Sequence, residues 1–154
     1  MAEESPVPPL PQDYLLALGT MVTTAAIVEF RLRVISTQLL DSRYSGLITA
    51  GETVGKLLDL CEQITKQQQL VGGGRVPELL PLLSRCRAAF KRRDQYIHGT
   101  ITWGPDEAEW TTMRSRRWKP LPEFGPAAAE DLVDLSKELN TVCDGLIACS
   151  LKIH

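Results

Sequence analysis

Apolar residues recur at helical spacing in four stretches of the chain. From Tyr14 to about Leu40, Leu15, Leu18, Val22, Ala25, Leu32, Ile35 and Leu39 step mostly by three and four, and Asp13 is the expected N-cap. Glu29 fills the one gap in that series. A carboxylate on a core-facing stripe needs a partner. That partner is either Arg33, one turn on, or an arginine from Arg92-Arg93 on a neighbouring helix. The second helix carries Leu47, Ala50, Val54, Leu57, Cys61 and Ile64 at steps of three and four. Gly51 and Gly55 lie beside its seam, where they suggest close approach of another backbone. Val71-Gly72-Gly73-Gly74 reads as a connector, without the Lys-Ser/Thr that would follow in a phosphate loop. The third helix opens near Pro77 or Pro81 and runs through Leu79, Leu83, Cys86, Phe90 and Ile97, with Arg93 and Asp94 straddling the gap in that stripe. The last helix, from about Pro126, steps through Leu132, Leu135, Leu139, Val142, Leu146, Cys149 and Ile153, the most regular run of all.

Between the third and last helices the period changes to two. Thr100-Ile101-Thr102-Trp103 and Glu109-Trp110-Thr111-Thr112-Met113-Arg114 flank Gly104-Pro105-Asp106-Glu107, which is a hairpin signal. Pro120 to Pro126 reads as a turn. The expected fold is all-α, an antiparallel four-helix bundle with a short β-hairpin inserted between helices three and four. Residues 1–12 hold four prolines and read as a mobile tail; residues 13–154 form the one domain.

Composition adds little until it is read locally. The net charge is −2, but residues 85–119 carry nine Lys/Arg against four acids, so that window is +5 and the remainder −7. Such a map steers a polyanion to one region, or is simply a solvated basic face. Within it, Arg114, Arg116, Arg117 and Lys119 surround Trp118, a run suited to phosphate contact with base stacking. The alternative is a solvated loop with Trp118 in the core. Cys61, Cys86, Cys143 and Cys149 form no Cys-x-x-Cys pair, and two histidines do not complete a zinc site, so no metal or cofactor is expected. Buried free thiols in a reducing compartment fit better. The acidic start Met1-Ala2-Glu3-Glu4 is unlike a secretory signal, and no stretch reads as a membrane span; the expectation is a cytoplasmic protein.

The candidate chemistry lies in Arg92-Arg93-Asp94-Gln95-Tyr96-Ile97-His98-Gly99, which contains the only internal histidine. On a helix Asp94 and His98 share a face, and Arg93 reaches the same cleft on its long stem. Gly99 sits where a left-handed C-terminal cap is usual.

Arg93-Asp94-x-x-x-His98-Gly99, late in the third helix of a small bundle, resembles the Arg-x4-6-His signature of HEPN domains. Trp103 resembles a frequent extension of that motif, and the order of elements agrees over roughly residues 13–154. The resemblance implies a metal-independent endoribonuclease acting as a homodimer, often in toxin–antitoxin or phage-defence systems with a partner protein. By position it implies His98 as acid/base, Arg93 as the phosphate ligand and Asp94 as the residue orienting them. Arg92 gives the longer spacing that the signature also allows. A tyrosine that an antitoxin nucleotidylates in some members is Thr100 here. Two other readings stay open: a non-catalytic dimer binding RNA or protein, and a scaffold presenting the 100–119 hairpin.

Overall fold

A computed structural model describes residues 7–73, 76–104, 109–114 and 123–153, with only the backbone described at 114, 123 and 124. Five helices, α1 (Gln12–Leu40), α2 (Ser45–Thr49), α3 (Val54–Leu70), α4 (Leu79–Ile97) and α5 (Ala129–Ser150), accompany a three-stranded antiparallel sheet of β1 (Thr100–Gly104), β2 (Glu109–Arg114) and β3 (Glu123–Pro126). The mainly helical class is therefore as expected, and the sheet is one strand larger than a hairpin. Pro126 ends β3 opposite Thr111 instead of opening the last helix. As the terminal residue of an edge strand, it can lack an N–H without interrupting a ladder.

The helices do not alternate in direction. Gln38, near the end of α1, accepts from Ser150 Oγ at 2.8 Å, at the end of α5. Ser36 lies 3.1 Å from Cys61 of α3, and Thr65 joins Thr37–Leu39 around one cavity. Tyr96 near the end of α4 donates to Asp131 at the start of α5, whereas Leu79 at its start lies beside Leu39. Thus α1, α3 and α5 run one way and α4 the other. The short α2 makes this possible by carrying the chain back along α1. It is tied there by Thr37 and Thr49, whose hydroxyls are 3.5 Å apart.

The core fills the space among α1, α3, α4 and α5, and the α1–α5 pairing is the most extensive. The stripe expected for α5 is buried from Leu132 to Cys149; Ile153 lies just past the helix, packed against the core. In α1 the stripe is displaced by one residue over its first half. Tyr14, Ala17, Met21 and Val28 are buried, while Leu15 and Val22 are exposed. Val28 occupies the slot assigned to Glu29, which sits on the flank. The N-cap is Pro11, with Asp13 in the first turn, where a carboxylate still favours the helix dipole. In α4 the terminal core residue is Tyr96, not Ile97.

Where one continuous second helix was expected, Gly51 interrupts it at φ +73. A Cβ at Gly51 or Gly55 would meet nothing within 4 Å, so neither glycine marks a backbone contact. Gly51 is there for its dihedral angle. Gly51→Ala is expected to cost about 1–2 kcal/mol, the left-handed penalty, because no steric neighbour adds to it. Urea unfolding checks this, and an unchanged midpoint would mean the α2–α3 break tolerates another geometry.

All four cysteines are free and buried. Desolvation pushes the thiols up, to about 11 for Cys61 and about 12 for Cys86, so both stay protonated at neutral pH. No group of three or more potential metal ligands occurs among the described residues. Contrary to the sequence reading, α1 does include a window apolar enough for a membrane span, with mean hydropathy 1.5. No charge falls between Asp13 and Glu29, which accounts for it. The inner face of α1 nevertheless packs into the core, as in the central helix of a globular bundle.

Candidate functional site

The end of α4 meets the beginning of α3 beside the middle of α1, and the three enclose an open groove of about 730 Å³. Glu29 and Arg33 line it from α1, Thr53 to Gly55 from the start of α3, and Arg87, Phe90, Lys91, Arg93, Asp94 and His98 from the last three turns of α4 and its C-cap. The opposed directions of α3 and α4 bring an amino end to a carboxy end. The sequence-predicted Arg93, Asp94, His98 and Glu29 therefore share one surface.

Arg93 is the most constrained of these side chains. Its Nη1 donates to Asp94 Oδ1 at 2.9 Å, and its Cζ lies 5.9 Å from the Phe90 ring centroid. Its side chain is 28% exposed, and its Nε is buried with no hydrogen-bond partner. A buried donor without an acceptor costs about 1–3 kcal/mol, and an oxygen reaches this nitrogen only if the Arg93 side chain shifts. Asp94 is 52% exposed and engages Arg93, not His98. It is thus off the buried seam, because Phe90 and Tyr96 take the core-facing positions on either side of it. His98 is the C-cap, with φ −101, and its backbone N–H donates to Asp94 O at 3.0 Å. Its exposed side chain carries no hydrogen bond or ion pair among the described residues, and the same holds for Lys91.

Gly99 does not adopt the left-handed cap. It is absent from the positive-φ residues described, and its role is spatial. A Cβ there would lie 2.6 Å from Gln95 O and 3.5 Å from Met113 O. The chain passes between the last turn of α4 and strand β2 at this point, so that β1 begins at Thr100, paired with Met113. Beyond it, Trp103 and Trp110 face each other across the strands, centroids 5.5 Å apart at 63°.

Glu29 pairs with Arg33 at 3.2 Å, the local of the two partners foreseen, although it borders the same groove as Arg93. Arg92 is exposed and does not line the groove; of the two arginines, Arg93 does. Arg114 is described only as backbone in β2, and Arg116, Arg117 and Lys119, together with Trp118, lie outside the described residues.

Sequence reasoning missed the segment Gly51–Gly55. Thr53 caps α3 by accepting from Lys56 N at 3.5 Å, and no acid occupies the first turn. Val54 and Gly55 thus border the groove at the positive pole of a 17-residue helix, beside Glu52, which lines the groove too and pairs with Lys56 at 3.0 Å. A threonine before a helical run is a cap signal, but only the direction of α3 aims this end at α4. Arg87 joins the rim while tied to Asp59 at 2.9 Å and Glu62 at 3.2 Å, and the Asp59 hydrogen bond raises its pKa further.

A fixed guanidinium with a spare donor, a second cation, a helix amino end and an imidazole on one surface can bind a phosphodiester and exchange one proton with it. Set against known proteins, the chain finds no matching family model, no matching curated protein and no matching solved structure.

Proposed function

We propose that the chain is a HEPN-like, metal-independent endoribonuclease whose centre is the groove at the end of α4. The observation that carries this reading is the shared surface of Arg93, with its unpartnered buried Nε, and His98. A phosphate oxygen supplies the acceptor that Arg93 lacks once its side chain turns toward the groove. Arg93 and Lys91, with the α3 amino end, offset charge on the pentavalent phosphorane. Imidazole removes the 2′-hydroxyl proton as that oxygen attacks phosphorus. The 5′-oxygen leaves with a proton, giving a 2′,3′-cyclic phosphate and a free 5′-hydroxyl. One chain has a single imidazole in the groove, so it acts as base or as acid. A second copy contributes the other, and the working unit is a two-fold homodimer. A role as toxin or phage-defence effector, with a partner protein restraining it, accompanies this reading.

The test is digestion of mixed structured and unstructured RNA in excess EDTA. Cleavage leaving cyclic-phosphate ends is expected, and cleavage that vanishes on chelation would exclude the mechanism. A binding-only reading draws on one contact: Asp94 engages Arg93 and leaves His98 without an orienting partner. RNA retained in the groove without being cut would favour it.

A further inference from the structure

We propose that the outer face of α1, continued by α2, docks this chain on the surface of an anionic lipid bilayer. Leu16, Thr20, Thr23, Ile27 and Phe30 step by four and three along α1 and are all exposed, so they form a second stripe opposite the buried one. Leu16 is 73% exposed and Phe30 55%. Thr20 and Thr23 donate their hydroxyls to Leu16 O and Gly19 O, each at 2.9 Å, so the polar groups of the stripe are satisfied inside the helix. The same steps lead on to Val34 and Thr37, where α2 lies on the stripe with its Thr49 hydroxyl 3.5 Å from that of Thr37. Ser45 and Thr49 are the buried residues of α2, which turns Leu47, 78% exposed, directly outward. Tyr44 and Ile48 are exposed on either side of it.

Composition and charge select the occupant. No charge falls between Tyr14 and Val28, and the apolar window of α1 has a mean hydropathy of 1.5 although only 33% of it is buried. A protein–protein interface is about as apolar as an ordinary surface and carries direct hydrogen bonds, for which this stripe offers no free side-chain donor. Hydrocarbon asks for none. The stripe ends in cations set beside aromatic rings. Arg31 Cζ lies 5.7 Å from the Phe30 centroid, and Arg43 Cζ lies 4.9 Å from the Tyr44 centroid. Neither arginine pairs with an acid among the described residues, so both charges are free for headgroup phosphates. Glu29 is held by Arg33 on the groove flank, and Asp13 and Asp41 lie beyond the two ends of the stripe. Packed on α1, α2 lifts Leu47 about 8–10 Å above the stripe. Interfacial elements sink about 5–10 Å into the headgroup–acyl boundary, so Leu47 enters the acyl chains while Phe30 and Arg31 lie among headgroups. The docking face is independent of the ribonuclease reading, and its readout is lipid binding.

The test is flotation of the full chain in a density gradient with vesicles of phosphatidylcholine, with and without phosphatidylglycerol. Wild type is expected to float with the anionic vesicles. A basic residue near an anionic surface contributes about fivefold in affinity, so two arginines favour these over neutral vesicles by about 25-fold. Arg43→Ala is expected to lower affinity for the anionic vesicles about fivefold and to leave neutral ones unaffected. Leu47→Glu, at the most exposed position of the face, is expected to abolish flotation with unchanged circular dichroism, and Ile27→Glu to do the same from α1. Wild type that fails to float with anionic vesicles would overturn the proposal and leave the face to a protein partner. Flotation retained by both Leu47→Glu and Ile27→Glu would overturn it too, because the contact would then lie on another part of the chain. Equal binding to neutral and anionic vesicles would overturn the choice of an anionic lipid.

Discussion

Replacing His98 by alanine is expected to lower RNA cleavage by about 10²–10⁴-fold while leaving the fold unchanged. The side chain is exposed at the C-cap of α4 and carries no hydrogen bond or ion pair among the described residues, so its removal takes away no native contact. The backbone N–H that closes the last turn on Asp94 O remains. Activity and stability therefore separate at this position, which is not true of Arg93, whose guanidinium lies over the Phe90 ring and pairs with Asp94. Digestion of the same RNA in EDTA by wild type and His98→Ala, with circular dichroism alongside, decides the matter. Equal cleavage by both would remove His98 from the mechanism and point to a contaminant or another site.

The second large effect concerns Gly99. A methyl group 2.6 Å from Gln95 O meets backbone rather than the end of a flexible side chain, so the last turn of α4 or the start of β1 must move. Overpacking against a fixed group costs about 3 kcal/mol at the upper end of its usual range. At a urea dependence of about 1–3 kcal/mol/M, the unfolding midpoint of Gly99→Ala is expected to fall by at least about 1 M. A fall of only a few tenths would show that the α4–β1 junction yields easily. Because Gly99 adjoins His98, the variant should also lose cleavage in proportion to the displacement of the imidazole, a secondary effect measurable below the unfolding range.

The elements legible in the sequence were those with one apolar face. In α5 the stripe from Leu132 to Cys149 is bordered mostly by polar residues, so its phase is unambiguous, and its expected members are buried together with Ser136 and Cys143. The first half of α1 is apolar nearly all round. Leu15–Leu18–Val22 and Tyr14–Ala17–Met21 are then equally good stripes, and packing alone chooses the second. The same ambiguity put Glu29 on the seam. The interruption at Gly51 was hidden because Ala50 and Val54 keep a helical step across it. Strand β3, Glu123–Pro126, is too short and too rich in glycine and proline to register as a strand without its partner β2. Within the groove, Arg93, Asp94 and His98 were readable because one helix fixes their spacing. The Thr53–Gly55 segment was not, since its aim depends on α3 running parallel to α1. Helix direction is decided by tertiary packing, which periodicity does not encode.

The pairing of α1 with α5 sets the order in which the chain becomes safe from aggregation during synthesis. The first helix leaves the ribosome long before its principal partner. At about 5–20 residues per second, the interval between them is on the order of 5–20 s. Throughout it the inner face, with Met21, Val28, Leu32 and Ile35 that end up fully shielded, has only α2, α3 and α4 to cover it. The outer face is apolar as well. A nascent chain halted before Ala129 thus displays grease on both sides of one helix, which makes it a ready client for chaperones that hold unfinished polypeptides.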